Sequence, residues 1–431
     1  MDFRKDLILR WPDPQAAHIP ILKKGGIQAI LLGEAHAGFA AACKTAGIET
    51  ALQSSIKSYN KLAELPTTDP QTYIALAAGL WPGIARGPAK PNSPNDEVAS
   101  ASSEPWIDAN AYRIPYLKAL YPKSAPVLAY EANKASGLRE GRVVGFETLE
   151  IAYSEARAAG GNYILSMEAS YRDALLKGDP KATAAWVSLG TTAHWFSQND
   201  ALFGIAAQPT ITALVDTGTQ TAEFANLLFR RNASPTLAAA VPEPSPSIHA
   251  LVTVGMRTPA PNIAAKILAH AERGATVITD DPAPQAWWRT AKGLRETKQQ
   301  EDRVFYALGR GTLVTYKERV MNPSELALDV IDVVTHPKRP VRIWNTFTVI
   351  ALAGTGGVLH LLNYASVTPG PRRRGGGGNG SEIQVRMQGL FAKARLLQPG
   401  APPKQLETAR RGSTTEVWVP TFDRVATVVF S

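Results

Sequence analysis

Short apolar runs alternate with helical stretches along the first half of the chain. Apolar runs of the kind found in buried strands cover 7–9, 27–32, 48–52, 73–78, 126–130 and 163–167. The stretches that favour helix cover 35–46, 54–64, 106–121 and 181–204. Strands and helices that alternate in this way are typical of a parallel α/β sheet, which is either open or closed as a barrel.

Residues 79–105 interrupt the alternation. They are rich in glycine, proline, serine and asparagine, and this composition predicts a long loop. A loop of this length inside a compact domain is typically functional or disordered.

The second half of the chain changes pattern twice. Residues 209–320 again alternate apolar runs, at 211–215, 248–254 and 275–279, with helical stretches, which predicts a small Rossmann-like unit. From residue 340 onwards, apolar and polar residues alternate singly between clusters of turn residues, as at 383–388. This period of two predicts an antiparallel β-sandwich. We therefore predict three domains, at 1–208, 209–335 and 336–431.

Several segments, together with the order of the three parts, carry a resemblance to a known family. The segments are 263–281 (IAAKILAHAERGATVITDD), 306–315 (YALGRGTLVT), 360–364 (HLLNY), 383–389 (IQVRMQG) and 415–420 (TEVWVP). They resemble the three-domain β-galactosidase-like glycoside hydrolases, whose middle part is a trimerisation domain similar to glutamine amidotransferase folds. The resemblance implies a TIM-type (β/α) barrel followed by a Rossmann-like α/β domain and a small antiparallel β-sandwich. It also implies a saccharide substrate and a homo-oligomer formed through the middle domain.

The chain departs from this family at one important place. Those enzymes carry an Asn-Glu pair at the end of a barrel strand, where the glutamate is the acid/base, and no Asn-Glu dipeptide occurs here. The middle part also lacks an amidotransferase-type cysteine, because the sole cysteine is Cys43 in the barrel part. The resemblance therefore supports the fold and the broad class, and it assigns no catalytic residue.

Composition narrows the function classes. Apolar residues make up 45% of the chain and charged residues 19%, which excludes disorder as the main state. No apolar run reaches about 18 residues, so we expect no membrane span. The net charge of +9 would suit a nucleic-acid partner, but part of it lies in Arg372, Arg373 and Arg374 beside a glycine run. No basic stripe with interleaved aromatic residues occurs, so we expect no nucleic-acid partner.

Motifs for cofactors and metals are missing from the sequence. A single cysteine excludes a disulfide framework and a Cys-ligated zinc site. No glycine-rich dinucleotide fingerprint follows a first strand, and no Walker, His-x-His or His-Glu-x-x-His sequence occurs. We therefore expect neither a cofactor nor a metal. The compartment stays open: periplasmic or secreted if a leader was trimmed, and otherwise cytoplasmic.

Carboxylates that directly follow apolar runs are the candidate catalytic groups. Glycoside hydrolysis needs two carboxyls, one to protonate the leaving oxygen and one to attack or to activate water. In a barrel, the working residues project from the carboxyl ends of the strands. We predict Glu131 and Glu168 as the catalytic pair and Asp108, just after the long loop, as a third candidate. The alternative is that such a glutamate only lies beside a helix N-terminus, where negative charge is favoured.

Sugar binding requires aromatic platforms and hydrogen-bonding groups. The predicted platforms lie in loops and are Trp11, Trp81 and Trp106. Tyr130 and Tyr171 flank the two glutamates and belong to the predicted substrate-binding residues. Glu34, Arg10 and Arg86 complete the predicted substrate-binding set, the arginines by bonding hydroxyls or by setting the pKa of a carboxylate. The tryptophans could instead cap the barrel core. We predict a glycoside hydrolase, and the alternative is a catalytically inactive carbohydrate-binding protein on the same scaffold.

Overall fold

Parallel strands in the first part of the chain build one curled sheet. The computed structural model describes residues 1–68, 72–85, 106–131, 144–320, 322–334, 338–346, 348–367 and 382–431. The strands of this part are β1 (Ile8–Arg10), β2 (Ala29–Leu32), β3 (Glu49–Leu52), β4 (Ser58–Tyr59), β5 (Tyr73–Leu76), β6 (Gly83–Ala85), β7 (Trp106–Asp108), β8 (Ala125–Ala129) and β9 (Asn162–Ser166). Strands β6 and β7 pair with each other antiparallel, and the other seven form the sheet.

The strand order decides between an open sheet and a barrel. It runs β3-β2-β1-β9-β8-β5-β4, and every neighbouring pair is parallel. The first strand therefore pairs with the last, and the order follows the chain around a circle, as in a barrel. In a doubly wound sheet the strand beyond β1 would instead begin the second half of the fold. The sheet is thus a curled half-barrel of TIM type with β3 and β4 at its edges, and the predicted fold class is confirmed.

Alternation along these strands separates the inside of the barrel from its helical coat. The helices of this part are α1 (Ile19–Lys24), α2 (Ala37–Thr45), α3 (Arg113–Leu120), α4 (Thr148–Ala158), α5 (Ala169–Leu176) and α6 (Pro180–Gln198). Ile8 and Val127 belong to a small inner cluster, whereas their neighbours Leu9 and Leu128 pack in the large core that includes the helices. Successive strand residues point to opposite faces. Side chains of the sheet that point to the same face as Ile8 therefore face the interior of the barrel.

Two predicted elements of this part are wrong. The helix predicted at 54–64 is replaced by β4 between two short 3-10 turns, Gln53–Ser55 and Leu62–Glu64. Serine and asparagine are frequent here, and their side chains compete with helical backbone hydrogen bonds. The helix predicted at 106–121 begins only at Arg113, after β7. Within the predicted loop at 79–105, β6 is a strand, and residues 86–105 lie outside the described residues.

A second sheet follows in the middle of the chain. Its elements are β10 (Ile211–Leu214), α7 (Thr219–Arg230), β11 (Thr236–Ala238), β12 (Ala250–Thr253), α8 (Pro261–Glu272), β13 (Thr276–Thr279), β14 (Arg295–Gln299), β15 (Arg303–Leu308), β16 (Gly311–Tyr316) and α9 (Pro323–Val333). The strand order is β11-β10-β12-β13-β16-β15-β14. The first five strands of this order are parallel, and β15 and β14 add an antiparallel edge. This is the predicted Rossmann-like unit.

The remaining strands form two antiparallel sheets that pack face to face. They are β17 (Val341–Trp344), β18 (Val349–Ala353), β19 (Val358–Asn363), β20 (Ile383–Gln388), β21 (Ala394–Gln398), β22 (Ala401–Leu406), β23 (Thr408–Arg411), β24 (Thr414–Val419) and β25 (Val425–Phe430). The orders are β17-β20-β24-β23 and β18-β19-β25-β21-β22. Val385 and Val417 of one sheet share a core with Leu361 and Val428 of the other, as in a sandwich. The domain limits given above stay a prediction.

Candidate functional site

A cavity of about 350 Å³ opens at the carboxyl end of the parallel barrel strands. Residues from β1, β2, β8 and β9 and from the segments around β3 and β4 line it: Arg10, Leu31, Gly33, Gln53, Ser54, Ile56, Ser58, Ala129 and Ile164. Active sites of TIM-type barrels lie at this end, because the loops after the strands converge there. The cavity is therefore the candidate site.

Arg10 is the charged residue of this lining. It ends β1 and shares the inward parity of Ile8, so its side chain reaches into the mouth. Its Nη1 donates a hydrogen bond to the hydroxyl of Ser166 at 3.2 Å, and Ser166 is also its ladder partner on β9. Burial lowers the pKa of the Arg10 guanidinium, and the nearby negative charge of Glu131 partly opposes that shift. A half-buried cation at the mouth is thus the main electrostatic feature of the site.

The three predicted glutamates follow strands at this same edge. Glu131 lies two residues after β8, and its charge acts on Arg10. Glu34 lies two residues after β2 and is exposed. Glu168 caps α5: its carboxylate accepts the backbone N–H groups of Ser170 at 3.2 Å and Tyr171 at 3.3 Å, and also the Ser170 hydroxyl. Capping is the role that the alternative interpretation gave to such a glutamate.

The ladder fixes how far apart Glu131 and Glu168 can lie. Ala129 pairs with Ile164, so Glu131 is level with Ser166 and Glu168 stands two residues further along. Adjacent strands are about 4.8 Å apart and each residue advances a strand by about 3.3 Å, which places the two Cα atoms roughly 8 Å apart if both segments continue their strands. Carboxyls about 5–5.5 Å apart belong to retaining glycosidases and about 6.5–9.5 Å apart to inverting ones. A Cα spacing of this size permits either.

Four of the aromatic residues predicted to bind substrate are buried. The exposed fraction of the side chain is 1% for Trp11 and Trp81, 2% for Tyr130 and 5% for Tyr171. The Trp81 and Tyr130 rings meet edge to face with centroids 5.0 Å apart, and the Tyr171 ring meets Trp186 at 6.5 Å. All four belong to the large core between the sheet and its helices. The structure therefore places Trp11 and Trp81 where the sequence analysis placed the alternative for the tryptophans, as residues that cap the barrel core, and it buries the two tyrosines in the same core.

The remaining predicted residues fall outside what the structure describes. Arg86 lies in the undescribed segment 86–105. Trp106 and Asp108 contribute backbone to β7, but their side chains are not described. Among the described residues, no group of three or more histidine, cysteine, aspartate or glutamate side chains is placed to hold a metal ion. Within that same part of the chain, no helix is both long and apolar enough to cross a bilayer.

Sequence reasoning missed the small polar residues of the cavity. Gln53, Ser54 and Ser58 line the mouth, and Ser166 holds Arg10. A signal for Ser166 was present, because its position on β9 has the same parity as the inward-facing Ile164. Ser54 and Ser58 could not be placed in this way, since the segment 54–64 that contains them was predicted to be helical.

Comparison with known proteins gives matches only among solved structures. No protein-family model matches the chain, and no curated protein matches it. It is similar to α-L-fucosidase isoenzyme 2 from Paenibacillus thiaminolyticus, with 9% identity, 100% of each chain covered and a TM-score of 0.48. It is also similar to a β-galactosidase from Bacillus circulans sp. alkalophilus, with 8% identity, 97% of this chain and 99% of that chain covered, and a TM-score of 0.47. A third similar structure is an exo-carrageenase of GH42 from Bacteroides ovatus, with 11% identity, 83% of this chain and 48% of that chain covered, and a TM-score of 0.42. These matched structures are glycoside hydrolases, the class named by the resemblance in sequence.

Proposed function

We propose that this protein hydrolyses a glycosidic bond of a saccharide bound in the barrel mouth. The observation that carries the proposal is that Glu131 and Glu168 follow the adjacent parallel strands β8 and β9 at the edge where the cavity opens. Two carboxyls on neighbouring strand ends satisfy the basic requirement of the reaction. The barrel order puts them at the end where such folds carry their chemistry.

The surroundings of Glu168 favour one of the two roles. Glu168 accepts backbone and hydroxyl donors, which stabilise its negative charge, so we assign it as the nucleophile or the base. Glu131, the other member of the pair, then takes the role of the acid that protonates the leaving oxygen. Asp108 is the reserve for either role.

Hydrolysis of a panel of aryl glycosides and natural oligosaccharides tests the proposal. We expect Glu131→Gln and Glu168→Gln each to lower kcat/KM by at least about 100-fold, as general acid–base catalysis contributes on this scale. Glu272→Gln, on the exposed face of α8, is the matched control and should retain full activity. Full activity in both mouth variants would contradict the assignment of the pair.

A second variant separates catalysis from capping at Glu168. Aspartate is also a favoured N-cap residue, so Glu168→Asp keeps a cap for α5 while withdrawing the carboxylate from the mouth by one methylene. A catalytic Glu168 predicts loss of turnover with unchanged thermal stability. A Glu168 that only caps the helix predicts that both are retained.

One observation favours the non-catalytic alternative. The described lining of the cavity contains no carboxylate. A carbohydrate-binding protein without chemistry would show saccharide binding that survives Glu131→Gln and Glu168→Gln, and it would show no turnover on any member of the panel. The same experiment therefore distinguishes the two functions.

Homo-oligomerisation through the middle unit belongs to this proposal as well. It follows from the resemblance in sequence to enzymes whose middle part is a trimerisation domain. Light scattering on the purified protein tests it, because a monomer of 46.2 kDa is separated clearly from a dimer or a trimer.

A further inference from the structure

Among the residues that the structure describes, few groups accept a hydrogen bond from the guanidinium of Arg10. An arginine carries five N–H donors in a rigid fork. The described residues give Arg10 one hydrogen bond, from Nη1 to Ser166. Its Nε is buried and has no partner among them. Because Arg10 lines the cavity, the remaining Nη donors of its fork are the ones within reach of a ligand there.

The rest of the cavity does not neutralise this charge. The other lining residues are Leu31, Gly33, Gln53, Ser54, Ile56, Ser58, Ala129 and Ile164, and none of them is ionisable. Glu131 is the carboxylate whose charge acts on Arg10 from the rim of the mouth. Arg10 is half-buried, and withdrawing a cation from water is costly to the extent that it is left unpaired and without hydrogen-bond partners. A group that supplied two acceptor oxygens inside the cavity would satisfy the free side of the fork.

We infer that the barrel mouth binds an acidic saccharide, with Arg10 holding its anionic group. Carboxylates and sulfate esters both present paired oxygens that match a guanidinium fork, so the shared chemistry is a planar or tetrahedral oxyanion on a sugar ring. The neutral hydroxyls of the sugar then bond the hydroxyls of Ser54 and Ser58 and the side-chain amide of Gln53. The cavity of about 350 Å³ is within the size range of small-molecule sites. This inference rests on the proposed function, since it names the substrate class of the same site.

Binding to matched disaccharides tests the inference. The three ligands differ in one group on the terminal ring: a uronate carboxylate, a 6-sulfate ester or a plain 6-hydroxyl. Isothermal titration with the full chain should show that at least one acidic ligand binds about tenfold or more tightly than the neutral one, as expected for hydrogen bonds to a charged group. A preference for the carboxylate, the sulfate or both identifies the source of the oxyanion.

Variants at Arg10 assign the preference to this side chain. Arg10→Gln should bind all three ligands with similar affinity, because it keeps donors but loses the charge. Arg10→Lys keeps the charge without the fork and should retain part of the preference, and it provides a second reading if the glutamine variant fails to fold. Arg172→Gln, on α5 outside the cavity, is the matched control and should behave as the wild type.

The outcomes separate this inference from the proposed function. Equal affinity for acidic and neutral ligands, no binding of any of them, or an acidic preference that survives Arg10→Gln would overturn the inference. Acidic binding that depends on Arg10 without any turnover would support it while refuting hydrolysis. Turnover of neutral glycosides without an acidic preference would refute it while leaving hydrolysis in place.

Discussion

The buried carboxyl of Glu155 should make the stability of this protein depend on pH. Glu155 lies in α4, fully buried, where the barrel meets the sandwich. Its Oε1 accepts the Tyr364 hydroxyl at 2.6 Å and the Asn110 backbone N–H at 2.8 Å, and its Oε2 accepts the Asn110 amide at 3.2 Å. Burial outweighs these donors and raises the pKa of Glu155 to about 7. Replacing Glu155 with glutamine removes the titration.

The size and sign of the effect follow from this pKa. The ordinary value is 4.5 and the folded value is about 7. At 1.36 kcal/mol for each pH unit, this difference corresponds to roughly 3 kcal/mol. Because the folded state binds the proton more tightly than the unfolded state, the contribution is fully present below about pH 4.5 and is lost as the pH rises to about 7. The free energy of unfolding of the wild type should therefore fall by roughly 3 kcal/mol from this group alone.

Urea unfolding at a series of pH values between 4.5 and 8 measures the effect. The difference between wild type and Glu155→Gln isolates one titration, since all other groups are shared. We expect this difference to shift in favour of the variant as the pH rises and to become constant above pH 7. Glu272→Gln, an exposed glutamate, should give a curve parallel to that of the wild type. Parallel curves for Glu155→Gln as well would refute the assignment of a raised pKa to this carboxyl.

Two further predictions concern packing and charge in the same part of the molecule. Arg424→Met should lower the free energy of unfolding by about 3–5 kcal/mol, because it leaves the buried Glu150 without the guanidinium whose Nε lies 2.6 Å from its carboxylate. Urea unfolding measures this loss. A loss below about 1 kcal/mol would show that the pair contributes no more than an ion pair at the surface. Gly25→Ala should cost about 1–3 kcal/mol, because its new methyl group would overlap the buried Trp186 indole. Gly38→Ala is the matched control in α2, where a methyl group meets no atom, and it should stabilise the protein by about 0.5–1 kcal/mol. Equal melting temperatures for the two glycine variants would contradict this reasoning.

The sequence predicted the strands of the barrel better than the segments between them. The apolar run at 27–32 contains β2, and the runs at 126–130 and 163–167 cover all but the first residue of β8 and β9. A strand buried on both faces needs apolar residues at nearly every position, which is why these runs stand out. Ser58–Tyr59 gave no such signal, since β4 is two residues long and is half polar. A strand this short is specified by its pairing with β5, which the sequence does not reveal.

The polar network of α4 could not be predicted for a related reason. An amphipathic pattern is visible from Phe146 to Ala156, and it predicts one buried face and one exposed face. In the structure every residue of Thr148–Ala158 is buried, because the sandwich covers the second face. Glu155 bonds Tyr364, which lies 209 residues further along the chain. The spacing of apolar residues in a helix shows one buried face, whereas a helix that lies between two sheets is buried on two faces.

For the candidate site residues, the sequence does carry one kind of information, the alternation of side chains between the two faces of a strand. Once Ile8 and Ile164 are known to face the barrel interior, Arg10 and Ser166 must face it too, one step nearer the mouth. Trp11 stands one residue beyond Arg10, so the same alternation turns its side chain to the opposite face, where it packs in the outer core. Alternation thus assigns the arginine to the cavity and the indole to the core from a single register. The same rule, applied to the ends of β1 and β8, ranks Arg10 above Trp11 and Tyr130 as the residue that faces the cavity.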